Sequence, residues 1–186
     1  MFLPLCGKTL DIHWLLSNGY RVAGAELSQL AIQQLFAELG VEPTISRVGD
    51  IDHYAAEDID IYVGDIFHLT PGMLGPVHAI YDRAALVALP ETMRHRYAAH
   101  LVEITDKAPR LLVRFEYDQN LHAGPPFSID SAECPSTLRT NLQPDHLAST
   151  DVPGGQQKRV SGCSEKPEMP YELRASRWRW VGWPAN

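Results

Sequence analysis

The sequence predicts an α/β domain with a mainly parallel sheet and helices on both faces. Over the first 128 of its 186 residues, short apolar runs alternate with amphipathic stretches, the pattern of repeated βα units. The first of these units is also the most specific. Phe2-Leu3-Pro4-Leu5-Cys6-Gly7-Lys8 reads as a strand and a glycine turn, and Val22-Ala23-Gly24-Ala25-Glu26-Leu27-Ser28 as a second strand that ends in a carboxylate.

Taken in order, the strand candidates are residues 2–5, 21–25, 59–63, 79–81 and 110–116. A helix over 11–17 places Ile12, Leu15 and Leu16 on one face and stops at Asn18-Gly19, a C-cap pair. Ser28 N-caps a second helix, whose Ile32, Leu35, Phe36 and Leu39 fall at i, i+3, i+4 and i+7 before Gly40. A third helix starts near Pro90, turns Met93, Tyr97, Leu101 and Ile104 inward, and ends before Pro109. The predicted order is β-α-β-α-β-β-α-β.

Composition narrows the function. With 45% hydrophobic residues the chain is the right size for one domain with a substantial core. A net charge of −7 argues against a nucleic-acid surface, and a small-molecule ligand is expected. There is no apolar run of membrane-spanning length and no signal-peptide pattern, so the expected location is the cytoplasm. Cys6, Cys134 and Cys163 are too scattered for a disulfide framework or a C-x-x-C metal site. Arg177-Trp178-Arg179-Trp180 alternates basic and aromatic residues, but two arginines in an acidic chain make a poor nucleic-acid or membrane footprint.

In an open α/β sheet, ligands lie beyond the carboxyl ends of the strands. Glu26 follows the Gly7 turn at the spacing that presents a carboxylate to ribose hydroxyls. Gly7 is the only glycine before Gly19, so the G-x-G-x-x-G cradle for a pyrophosphate is missing. A ribose-bearing ligand without a pyrophosphate fits, and S-adenosylmethionine is the common one; the missing glycines disfavour a nicotinamide-dependent oxidoreductase. Asp65 and Ile66 follow the third strand, where a carboxylate can accept from an adenine amino group and an isoleucine can cover the base; Asp65 can equally cap a helix. Tyr81-Asp82-Arg83 closes the fourth strand, either as part of the site or as a structural Asp–Arg pair.

Pro4-Leu5-Cys6-Gly7-Lys8, Gly24-Ala25-Glu26-Leu27-Ser28, the run from Tyr81-Asp82-Arg83 to Leu89, and Tyr117-Asp118 through Gly124-Pro125-Pro126-Phe127 together resemble the thiopurine S-methyltransferase family over residues 2–128. The resemblance implies a Rossmann-like class I methyltransferase fold with S-adenosylmethionine as methyl donor. It implies cofactor contacts at Leu5, Glu26, Asp65, Ile66 and Arg83, with Glu26 on the ribose. Arg83 also falls where that family brings cofactor and acceptor together, and Pro126 and Phe127 lie near its acceptor pocket. The implied acceptors are aromatic and heterocyclic thiols, with selenium and tellurium compounds also handled by bacterial members. No catalytic base is expected, because such thiols ionise near neutral pH without help. The protein is expected to act as a monomer.

Two departures shape the remaining expectations. The family carries an N-terminal segment with a tryptophan over the cofactor, whereas Met1 here falls inside the first strand, so the domain over 1–128 is expected to be partial. Residues 129–186 contain six prolines and few aliphatic residues. They are expected to form an atypical, poorly ordered tail, leaving the sheet incomplete and ending at the strand over 110–116. A non-catalytic remnant of the family is the alternative function.

Overall fold

The computed structural model describes residues 1–130, 142–152 and 171–180, the last two segments as backbone only. The strands and helices in chain order are β1 (Phe2–Pro4), α1 (Leu10–Ser17), β2 (Val22–Glu26), α2 (Gln29–Leu39), β3 (Thr44–Val48), β4 (Ile51–Ala56), β5 (Ile59–Val63), α3 (Pro71–Leu74), β6 (Ile80–Arg83), α4 (Ala85–Ala88), α5 (Glu91–Ile104), β7 (Arg110–Glu116), β8 (Leu142–Val152) and β9 (Tyr171–Trp180). The strands form one nine-stranded sheet in the order β3-β4-β5-β2-β1-β6-β7-β9-β8. The five strands read from the sequence are its parallel centre, β5-β2-β1-β6-β7.

Two apolar layers sandwich the sheet. On one face, Ile12 and Leu15 of α1 and Ile32, Leu35 and Phe36 of α2 pack over Leu3, Val22, Ile59 and Ile61. On the other, Leu86 and Val87 of α4 and Tyr97, Leu101 and Ile104 of α5 pack over Phe2, Ile80 and Leu112. The helix signals hold: Thr9 and Ser28 accept from the Asp11 and Ala31 N–H groups at the starts of α1 and α2, and Gly40 ends α2 in the left-handed region. In α5, however, Met93 faces outward and Arg94 is buried in its place. Arg94 donates to the Leu89 carbonyl at 3.1 Å, and its guanidinium lies 5.8 Å from the Phe127 ring centre, so a long cation fills the position expected for an aliphatic side chain.

The sheet does not end at β7. Strand β9 pairs antiparallel with β7 over Arg110–Glu116, and β8 pairs antiparallel with β9. Pro144 lies in β8, the outermost strand, where a missing N–H interrupts no ladder on the open side. Arg177 to Trp180 belongs to β9, so its basic–aromatic alternation is the two-residue period of a strand. The opposite edge carries a hairpin the periodicity did not announce. The two-residue loop Gly49–Asp50 joins Val48 to its partner Ile51, with Gly49 at φ 61°, a backbone that favours glycine.

Asp82 and Arg83 do not pair. Successive strand residues point to opposite faces, and Asp82 is fully buried beneath α4 and α5. It accepts from the Leu86 N–H (3.3 Å), from the Tyr97 hydroxyl (2.8 Å) and from the Arg110 guanidinium. Burial first, and the Asp82 charge second, push the Tyr97 hydroxyl well above its ordinary pKa, so it stays a donor. One carboxylate thus ties β6, β7, α4 and α5 together. Asp82→Ala should destabilise the protein by about 3–5 kcal/mol, the range for breaking a buried ion pair, measured as a shift of the urea midpoint at unchanged slope.

Candidate functional site

The chain runs outward from β1 through β2 to β5 on one side, then returns to β6 and β7 on the other. The change of direction lies between β1 and β6, where open α/β sheets leave a crevice at the strand carboxyl ends. Phe2 donates to the Ala79 carbonyl at 2.8 Å. Two residues on, the next donor toward β6 would be Pro4, which has no N–H, and Phe2 with Ile80 is the one β1–β6 register pair. The ladder therefore stops where the crevice begins.

Beyond Pro4 the backbone turns sharply. Leu5 at φ 46° and Gly7 at φ 53° are both in the left-handed region, and between them the Cys6 N–H reaches back to the Ala25 carbonyl at 3.0 Å. The turn is locked to β2 by Glu26. Its Oε2 accepts from the Gly7 N–H at 2.8 Å and its Oε1 from the Ser28 N–H at 2.9 Å. An ionised carboxylate has about four acceptor positions, so two remain for ligand hydroxyls. Gly24 lets this turn approach the sheet, since a Cβ there would lie 2.7 Å from Ile61 Cδ1 and 2.9 Å from Cys6 Sγ.

At the end of β5, the Gly64 N–H donates to the Glu26 carbonyl at 2.9 Å, which puts the Asp65 segment beside Glu26. Exposed Asp65 uses Oδ1 to cap the short 3-10 turn Ile66–His68, accepting from the Phe67 N–H at 3.0 Å. Ile66 is packed almost completely into the core with Tyr62 and Leu69.

Across the crevice, Arg83 Nη1 donates to Thr9 Oγ1 (3.0 Å) and lies 3.2 Å from Asp11 Oδ2. The Tyr81 hydroxyl donates to the same Asp11 oxygen at 3.2 Å. Thr9 and Asp11 were not singled out from the sequence, and Tyr81 was named only within Tyr81-Asp82-Arg83, although a signal was there: Tyr81 and Arg83, two apart on a strand, must share a face. Phe127 is held by a different set of contacts. Its N–H donates to the Val87 carbonyl at 2.6 Å, its ring lies within 2.6 Å of where a Gly124 Cβ would be, and the Pro126 carbonyl accepts from the Tyr117 hydroxyl. The loop is anchored on α4 and α5, and Arg83 is anchored on α1.

Comparison with known proteins agrees with this geometry. The family model of thiopurine S-methyltransferase matches residues 1–176. The chain belongs to this family. It is 56% identical over 155 residues to the thiopurine S-methyltransferase of Xanthobacter autotrophicus, covering 83% of this chain and 73% of that protein. It is 41% identical over 175 residues to that of Pseudomonas fluorescens, covering 94% and 81%. An alignment of that length cannot lie within residues 2–128, so the family likeness extends into the region expected to be an atypical tail. In fold, the chain resembles a SAM-dependent methyltransferase from Anabaena variabilis (TM-score 0.61, 14% identity, 96% and 76% covered). It also resembles a didemethyltoxoflavin N1-methyltransferase from Burkholderia thailandensis, solved with S-adenosylhomocysteine (TM-score 0.58, 16% identity, 96% and 70% covered). The fold is that of the class I S-adenosylmethionine-dependent methyltransferases. No helix of the described residues is long and apolar enough to cross a membrane.

Cys6, inside the family's turn, is buried. Desolvation first, and the Glu26 charge second, raise its thiol from 9.0 to about 12. A thiol held protonated in the fold ionises more readily when unfolded. Between pH 9 and 12 the unfolded chain therefore releases a proton that the folded chain keeps, and stability falls as pH rises. Across that window the urea midpoint of the wild type should fall more steeply than that of Cys6→Ala. At pH 8, mass-spectrometric mapping should find Cys6 unalkylated by iodoacetamide until the protein is denatured.

Proposed function

We propose that this chain moves a methyl group from S-adenosylmethionine to the sulfur of an aromatic or heterocyclic thiol. It acts as a cytoplasmic monomer on small molecules, and not on nucleic acid or at a membrane. Selenium and tellurium compounds are further acceptors to test. The observation that carries this reading is the Glu26 carboxylate, fixed by the Gly7 and Ser28 N–H groups at the crevice and retaining acceptor positions for two ribose hydroxyls. The single glycine of the turn suits a nucleoside without a pyrophosphate. Named relatives of this family support the sulfur acceptor.

S-adenosylmethionine, when bound, supplies an activated methyl group. Glu26 would hold its ribose, Leu5 would line the turn beneath it, and Asp65 and Ile66 would border its base. Arg83 would offer its guanidinium to the acceptor anion, and Pro126 and Phe127 would close the acceptor side. Holding two reactants in line is a large contribution to rate by itself, and an aromatic thiol arrives largely ionised, so these residues need to position and exclude water more than to move a proton.

Calorimetric titration with S-adenosylhomocysteine tests the reading. The wild type should bind, and Glu26→Ala should lose about 1.5–3 kcal/mol of binding free energy, the range for hydrogen bonds to a charged group. Equal affinity in the variant would remove the ribose assignment. Wild-type binding without methylation of any thiol offered would favour the non-catalytic remnant.

A further inference from the structure

Arg83 is held more firmly than stability requires. Its side chain is 52% exposed and that of Asp11 is 35% exposed, and an ion pair so open to water contributes little to folding. Yet two residues at the start of α1, distant in sequence, converge on it. Thr9 Oγ1, which already accepts from the Asp11 N–H at the start of α1, also accepts from Arg83 Nη1. Asp11 Oδ2 faces both Arg83 Nη1 and the Tyr81 hydroxyl. A capping threonine and an acid in the first turn are accounted for by helix α1 itself. The convergence of Tyr81 and Arg83 from one face of β6 on a single carboxylate oxygen is not.

Resting on the proposed function, we infer that Thr9, Asp11 and Tyr81 form a clamp that positions Arg83 for an anionic acceptor, Asp11 being a positioning residue that acts through Arg83. A guanidinium is a planar fork, and one hydrogen bond from Nη1 to Thr9 together with the ion pair of the same nitrogen with Asp11 holds that end of it against α1. Among the described residues, Nε and Nη2 have no partner, and that side of the fork remains to meet a thiolate. A carboxylate this close would also repel the incoming anion. Tyr81 tempers that repulsion by donating to the shared oxygen, and burial and the Asp11 charge push its hydroxyl up in pKa, so it remains a donor.

The test uses 4-nitrothiophenolate, a coloured aromatic thiolate, titrated by visible absorbance into the full chain saturated with S-adenosylhomocysteine. Asp11→Ala should weaken binding about ten-fold, and Asp11→Asn, which keeps an acceptor oxygen, about two- to three-fold. Arg83→Lys keeps a cation without the fork and should itself weaken binding; in that background Asp11→Ala should cost less than about two-fold more. The clamp is overturned by an equal Asp11→Ala loss in both backgrounds, by probe binding indifferent to Arg83→Lys, or by an Asp11→Ala variant whose only change is a lower Tm. Adding S-adenosylmethionine in place of the homocysteine separates the two proposals. A wild type that binds the probe with the expected coupling but never bleaches it retains the clamp and loses the S-methyltransfer reading.

Discussion

The central strand of this sheet stops pairing with β6 at Pro4, and the site is built on that interruption. A residue with an N–H at position 4 would extend the β1–β6 ladder by one bond and narrow the gap in which a ligand must lie. With proline there, the chain leaves the sheet through Leu5 and Gly7 in left-handed backbone, a conformation that costs about 1–2 kcal/mol for a residue with a side chain. The return comes from Glu26, whose two oxygens each take a backbone N–H, one from the turn and one from the start of α2. Charge-assisted bonds of this kind are about twice as strong as neutral ones. The group read from the sequence as the ribose ligand is therefore also the group that holds the turn in shape.

The same economy appears on β6. Its two-residue period sends Asp82 into the apolar layer under α5, where it meets Tyr97 and Arg110, and sends Tyr81 and Arg83 to the opposite face, where they meet α1. The buried side anchors the strand and leaves the crevice side little freedom. A guanidinium half exposed to water is useful for recognition only if the strand that carries it cannot shift, because a displacement on the order of 1 Å is enough to spoil alignment with a reacting group.

How much of this was legible in the sequence follows from which residues see one environment and which see two. The parallel strands are covered on both faces and read as apolar runs, and α1 and α2 carry a clear 3.6-residue period with caps, so the centre of the sheet was readable. The edges were not. Strand β3 is exposed throughout, and in β4 the buried residues Ile51 and Tyr54 lie in different apolar layers, which erases the alternation of a one-sided strand. The Gly49–Asp50 loop was the available signal. At the other edge, prolines were weighed as breakers without asking whether they could sit in the outermost strand, as Pro144 does. Among the residues named from the motifs, Leu5 directly follows β1, Glu26 ends β2 and Arg83 ends β6. Of the two alternatives left open for Tyr81-Asp82-Arg83, a pair between Asp82 and Arg83 fails on the alternation of a strand, which sends Asp82 to Arg110 and Arg83 to α1.

The titratable groups at the crevice point to the kind of catalysis this geometry supports. Cys6 and Tyr81 are both displaced toward the protonated form, by burial first and then by a neighbouring carboxylate. A proton acceptor working near neutral pH needs the opposite displacement for either group, so the two serve as fixed donors and packing. Two of the charges at the crevice, Glu26 and Arg83, stand on opposite sides of the β1–β6 opening, one held by backbone N–H groups and the other by Thr9 and Asp11 at the start of α1. Under the proposed function, a negative group suited to hydroxyls on one side and a positive fork suited to an anion on the other would orient two different ligands across one gap. On that proposal, such an arrangement would require from its acceptor only that it arrive ionised, which would tie the choice of substrate to the acidity of the substrate's own thiol more closely than to any base the protein provides.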